Sequence, residues 1–192
     1  MKTSFALTFE RDIIALLYRY RGNRWRMVGS VPASAGNLHS ELESLRSIAL
    51  QLAPSKFSVK LYAERSHVSF GSLEPGLEGA ARLSEEEISA EVVQKYVPDP
   101  KEQAFDWCAT DNLVQVATIS RDYLIEMERF AVDNRFNPVC FAALSNRNEF
   151  KGEPLFGMTA TAGKILGIGT AIEREIESPK ILGVSEDWEV VQ

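Results

Sequence analysis

The sequence predicts an α/β domain built on a mixed sheet with helices packed against it. Three observations carry that class. Residues 4–20 read as strand, tight turn, strand. Arg24-Trp-Arg-Met-Val-Gly-Ser-Val31 alternates after a Gly22-Asn23 turn and adds a third antiparallel strand. From residue 38 onward, helical and strand periodicities take turns, as in sheets covered by helices.

Each element has its own signal. Leu38, Leu42, Leu45, Ala49 and Leu52 recur at helical spacing, and Pro54 stops that helix. Phe57–Tyr62 is a buried-type strand, and His67-Val-Ser-Phe70 alternates as another before the Gly- and Pro-bearing loop 71–79. Ser84-Glu-Glu-Glu87 is a capping box, in which the Ser side chain takes a free helix N–H and the Glu side chain returns the bond. The helix it opens carries Ile88, Val92 and Tyr96 on one face and ends at Pro98 and Pro100. Phe105–Ala109 and Leu113–Ile119 form a hairpin around Thr110-Asp-Asn112. Ser120 caps a helix carrying Leu124, Met127, Phe130 and Ala131 inward, and Val139–Leu144 is the last clear strand. The expected order is β-β-β-α-β-β-α-β-β-α-β.

The 192 residues suit one domain, residues 1–145, with an appendage, residues 146–192. A formal net charge of −6 disfavours a non-specific nucleic-acid binder, which needs clustered Lys and Arg. The nearest basic cluster, Arg19, Arg21, Arg24 and Arg26, reads as a solvated hairpin. Cys108 and Cys140 lie in apolar runs and behave as small hydrophobes rather than a disulfide scaffold. No apolar run approaches the roughly 20 residues of a membrane span, and no signal-peptide core follows Met-Lys-Thr-Ser, so the cytoplasm is the expected compartment, without direct membrane insertion.

Many nucleotide-binding α/β domains open with a hairpin whose turn needs glycine, so that backbone N–H groups can approach a phosphate. Here the turn is Glu10-Arg11-Asp12, with two carboxylates and no glycine. Gly157–Ile165 imitates a phosphate loop, but it has five spacers instead of four, and Ile165 stands where a Ser or Thr would hold magnesium. Gly167-Ile-Gly169 lacks the third glycine of a dinucleotide fingerprint. His39 and His67 lack metal-ligand spacing, and Ser66-His67, adjacent on a strand, face opposite ways and cannot act as nucleophile and base. Glu10, Asp12, Asp106 and Asp111 suggest a two-metal nuclease cluster only if they converge; solvated turn acids are the simpler reading. Trp25, Phe105, Trp107 and Phe141 fit sheet packing without a ligand. No cofactor and no catalytic or metal residue is expected.

Several stretches, taken in order, resemble one half of the actin-like fold, in the version seen in the cytoplasmic domain of the type II secretion system L protein and in the type IV pilus M protein. They are the hairpin Phe5–Tyr20, the segment Lys60–Phe70, the acid-capped helix Ser84–Val97 followed by Phe105-Asp-Trp, the run Val114-Gln-Val-Ala-Thr-Ile-Ser-Arg-Asp-Tyr-Leu124, and Asn134-Arg-Phe-Asn-Pro138. The resemblance implies a ribonuclease H-like, half actin-like sheet onto which partner segments dock. The complete fold holds ATP between two halves. This chain covers one half, and its first turn departs from the family's Asp-x-Gly, so no active-site residue carries over.

The expectation is a non-catalytic adaptor at the cytoplasmic side of a bacterial envelope assembly, working through protein contact with inner-membrane components or a second copy of itself. A nucleotide-binding actin-like ATPase and a ribonuclease H-like metal-dependent enzyme are the alternatives. Residues 146–192 read as a Gly-rich arm ordered on binding, or as a linker. Its candidate contact residues are Phe150, Pro154, Leu155, Phe156 and Trp188. Two aromatics around a proline anchor a flexible chain, either on a partner or on its own domain.

Overall fold

The computed structural model describes residues 1–53, 57–74, 84–110 and 113–182. Strands β1 (Phe5–Glu10), β2 (Ile13–Arg21) and β3 (Arg24–Pro32) form an antiparallel meander. Helix α1 (Leu38–Leu52) crosses to β4 (Val59–Ala63), which runs parallel to β1. A single 3-10 turn, Arg65–His67, leads to β5 (Val68–Leu73). Next come α2 (Glu85–Tyr96), the hairpin β6 (Gln103–Ala109) and β7 (Val114–Ser120), α3 (Arg121–Asp133) and β8 (Pro138–Ala143). Strand β9 (Leu155–Met158), the short α4 (Ala162–Leu166) and β10 (Lys180–Leu182) complete the described chain.

Through β8 the elements follow the order expected from the periodicities. Their assembly differs from a single sheet. The main sheet has seven strands in the order β10-β3-β2-β1-β4-β8-β9, and β5-β7-β6 form a separate antiparallel sheet. The 3-10 turn after β4 redirects the chain, so that β5 pairs along its whole length with β7, from Val68↔Ile119 to Leu73↔Val114. Alternation in sequence reports which face a residue takes. It does not report which ladder a strand joins.

Strands β4 and β8 are buried at every position, as expected of parallel strands covered on both faces. On one face, Phe5, Leu7, Leu16, Leu61 and Phe141 pack with Leu42, Leu45 and Ala49 of α1 and with Leu124, Met127 and Ala131 of α3. Burying each of the larger side chains is worth about 1.5–3 kcal/mol. The opposite face carries Ala6, Leu17, Trp25, Tyr62 and Ala142, with Lys60 and Cys140 beside them. Part of the segment 150–176 closes over that face: Leu155 packs against it, Glu153 meets Lys60, and Ala162 and Ile172 pack on Val139 and Cys140, whereas Phe150 and Phe156 are buried in the cluster on the first face.

The Ser84 capping box forms as expected, with Ser84 Oγ accepting from the Glu87 N–H and the Glu87 carboxylate accepting from the Ser84 N–H. The latter bond holds the Glu87 carboxyl below its ordinary pKa. Ser120 occupies the first cap position of α3, but its side chain makes no capping bond; the Arg121 N–H instead donates to the Glu102 carbonyl. Pro54 and Asp111, together with the turn position Asn112, lie outside the described residues.

Candidate functional site

The opening turn is tight and exposed. Glu10 pairs with Ile13, which leaves Arg11 and Asp12 as the two loop residues. Arg11 adopts φ +50°, the left-handed region where glycine is favoured. Glu10, Arg11 and Asp12 all face solvent. The turn therefore presents two carboxylates where a phosphate would meet bare N–H groups, and like charge repels that ligand.

The phosphate-loop imitation around Gly157–Ile165 already has an anion. The Glu128 carboxylate of α3 accepts the Ala160 N–H at 3.1 Å, the Thr161 N–H at 3.0 Å and the Thr161 hydroxyl at 3.1 Å. Two backbone donors of this loop are thus spent on the chain's own carboxylate, and those of Ala162, Lys164 and Ile165 on backbone carbonyls.

Of the four carboxylates considered as a nuclease cluster, the three described ones, Glu10, Asp12 and Asp106, are not gathered. Glu10 and Asp12 sit at the hairpin turn, whereas Asp106 lies on β6 in an ion pair with Arg174 and accepts the Leu155 N–H at 2.7 Å. Burial pushes the Asp106 carboxyl above its ordinary pKa, against the lowering effect of Arg174. Asp111 lies outside the described residues. Among the described residues, no group of three His, Cys, Asp or Glu side chains is placed to hold a metal ion. His67 stacks on Tyr123 with ring centroids 3.8 Å apart, and His39 Nδ1 lies 3.2 Å from Asn134 Oδ1.

The candidate contact residues of the C-terminal segment fall inside the chain's own packing. Phe150, Pro154 and Phe156 are buried and Leu155 is half-buried, while Trp188 lies outside the described residues. The sequence left two destinations for this segment, a partner or its own domain, and the structure docks it on its own domain. Through Leu182 it is an integral layer rather than an extended arm. The reason is chemical: the sheet face it covers carries charge that needs partners.

That charge forms a buried hub which periodicity did not expose. Lys60 and Glu153, both fully buried, form an ion pair. Glu153 also accepts the Tyr62 hydroxyl at 2.6 Å and the Glu175 N–H at 3.0 Å. Glu175 in turn pairs with Arg19 at 2.7 Å and Lys2 at 3.2 Å. Arg19 lies 4.2 Å from the Trp25 ring centroid. Burial, reinforced by the Glu153 charge, holds the Tyr62 phenol well above its ordinary pKa. Burial likewise pushes the Cys140 thiol up to about 12, despite the opposing charge of Lys60. One sequence signal was present: Lys60 interrupts an otherwise apolar buried-type strand, and a lysine there requires a carboxylate from elsewhere. Nothing local pointed to Glu153, which is 93 residues away.

One end of the main sheet combines a partly paired strand with exposed side chains. Strand β3 spans nine residues, but on its side away from β2 it pairs, among the described residues, only with β10, from Arg24↔Lys180 to Arg26↔Leu182. All three residues of β10 are exposed. Beside this edge, Arg21, Gly22, Asn23, Arg24, Glu177 and Lys180 line a cleft of about 340 Å³. No helix among the described residues is long and apolar enough to cross a membrane.

No family model matches the chain, and no curated protein matches it. Among solved structures it matches the cytoplasmic domain of EpsL, an inner membrane component of the type II secretion system of Vibrio cholerae, at 15% identity and a TM-score of 0.46, over 71% of this chain and 55% of that one. It also matches the PilM-PilN type IV pilus biogenesis complex at 14% identity and a TM-score of 0.49, over 72% of this chain and 46% of that one. The chain thus spans about half the length of the structures it matches. Both are proteins of the kind that the sequence resemblance named.

Proposed function

We propose that this chain is a non-catalytic adaptor with a half actin-like, ribonuclease H-like core, serving a bacterial envelope assembly from the cytoplasmic side by protein contact. The observation that carries the contact mode is the β3 edge. Among the described residues, three of β10 pair with this nine-residue strand on its side away from β2. The backbone groups of that edge with no partner among the described residues offer the ladder that an added strand uses. The placement in an envelope assembly rests on the sequence resemblance.

A nucleotide role finds no support at either candidate loop. The opening turn bears carboxylates, and Glu128 accepts the Ala160 and Thr161 amides of the second loop. Affinity capture from native extract, paired with calorimetry against magnesium-ATP, tests the proposal. It predicts recovery of an envelope component and no heat of ATP binding. Recovery of metabolic enzymes alone, or saturable ATP binding, would overturn it.

A further inference from the structure

The end of the sheet where β2, β3 and β10 meet carries a row of like charge. Arg21 stands directly opposite Arg24, and Arg24 directly opposite Lys180. Neighbouring strands are about 4.8 Å apart, so the three cations share one cross-strand row about 10 Å long. Like charges directly opposite each other in a sheet are destabilising. Among the described residues none of the three makes an ion pair that would relieve them. The two other arginines of the hairpin are engaged elsewhere, Arg19 on Glu175 and Arg26 over the Tyr20 ring at 3.8 Å.

The row is also held rigid. Asn23 Nδ2 donates to the Glu177 carbonyl at 3.1 Å and the Ser178 carbonyl at 2.9 Å, and the Lys180 N–H donates to the Asn23 carbonyl at 3.0 Å. These bonds fix the turn at 22–23 against the start of β10. The buried Asn23 Oδ1 is left without a donor. Tyr20, Ile181 and Leu182, at 53%, 38% and 43% exposure, flank the row with apolar surface.

We infer that this corner anchors an extended, carboxylate-bearing segment of a partner protein, its acids on Arg21, Arg24 and Lys180 and its apolar residues on Ile181 and Leu182. The inference deepens the adaptor reading and rests on it. A peptide fits better than an anionic bilayer, because the cations line a concave cleft that also contains Glu177, which a flat anionic surface would meet unfavourably. The ligand neutralises a repulsion for which the described residues supply no ion pair.

The test uses fluorescence anisotropy with a labelled twelve-residue peptide alternating glutamate and valine, against its glutamine–valine counterpart. The glutamate peptide should bind at least about tenfold more tightly, and raising salt from about 50 to about 500 mM should erase most of that difference. Arg24→Glu should weaken binding by about tenfold or more. It should not lower the urea midpoint, because it relieves repulsion in the free chain. Equal binding of the two peptides, an unaffected Arg24→Glu variant, or no peptide binding with co-sedimentation on phosphatidylglycerol vesicles would each overturn the inference. If Arg24→Glu still captures the native envelope component while losing the peptide, the adaptor reading survives and this corner is not its contact.

Discussion

Lys60 shows how one residue organises a layer. It is a cation inside a strand that is buried along its whole length. Such a group is tolerated only with a charge partner and further hydrogen bonds, and Glu153 supplies the first while Tyr62 and the Glu175 amide complete the carboxylate's set. Lys60→Met leaves Glu153 buried without its cation and should cost about 3–5 kcal/mol in urea unfolding. Lys60→Met combined with Glu153→Leu removes both charges and should recover part of that loss. A double variant no more stable than the single one would show that the ion pair is not what the segment brings to the sheet. At this scale the sequence was half legible. The misfit of Lys60 in its strand was readable, but its partner was not, because a pairing across 93 residues leaves no local pattern.

Among the elements, the clearest successes were those whose signals are local. The five-position apolar stripe of α1, the capping box of α2 and the Gly22-Asn23 hairpin turn all form where the residues place them. The division into two sheets was not legible, since β5 and β7 alternate equally well in either sheet. The segment after Ser145 was the hardest to read. It has little regular structure, and besides its ion pairs and buried aromatics it is held by contacts such as Ser145 Oγ donating to the Gly152 carbonyl at 2.7 Å and the Glu153 N–H donating to the Glu175 carbonyl at 3.1 Å. Gly152 is the tightest of these points. It adopts φ +86°, and a Cβ there would lie 2.4 Å from the Glu175 carbonyl oxygen. Gly152→Ala should therefore cost about 1–3 kcal/mol and speed proteolysis between residues 150 and 176 before the rest of the chain. Unchanged stability and an unchanged cleavage pattern would mean that this segment is not anchored at Gly152.

At the scale of the whole molecule, the chain devotes its two phosphate-like loops to other ends. One is an exposed acidic turn, and the other is satisfied by Glu128. Among the described residues, the β3–β10 end of its main sheet has a partly paired strand and a row of cations without ion pairs. That end is where contact with another protein is expected. The most direct measurement places a photo-crosslinking amino acid at the exposed Ser30 of β3 and, as a control, at the exposed Ile125 of α3, in cells of the native host. The proposed role predicts a discrete crosslinked envelope protein from Ser30 and none from Ile125. Equal labelling from both positions, or none from Ser30, would contradict it.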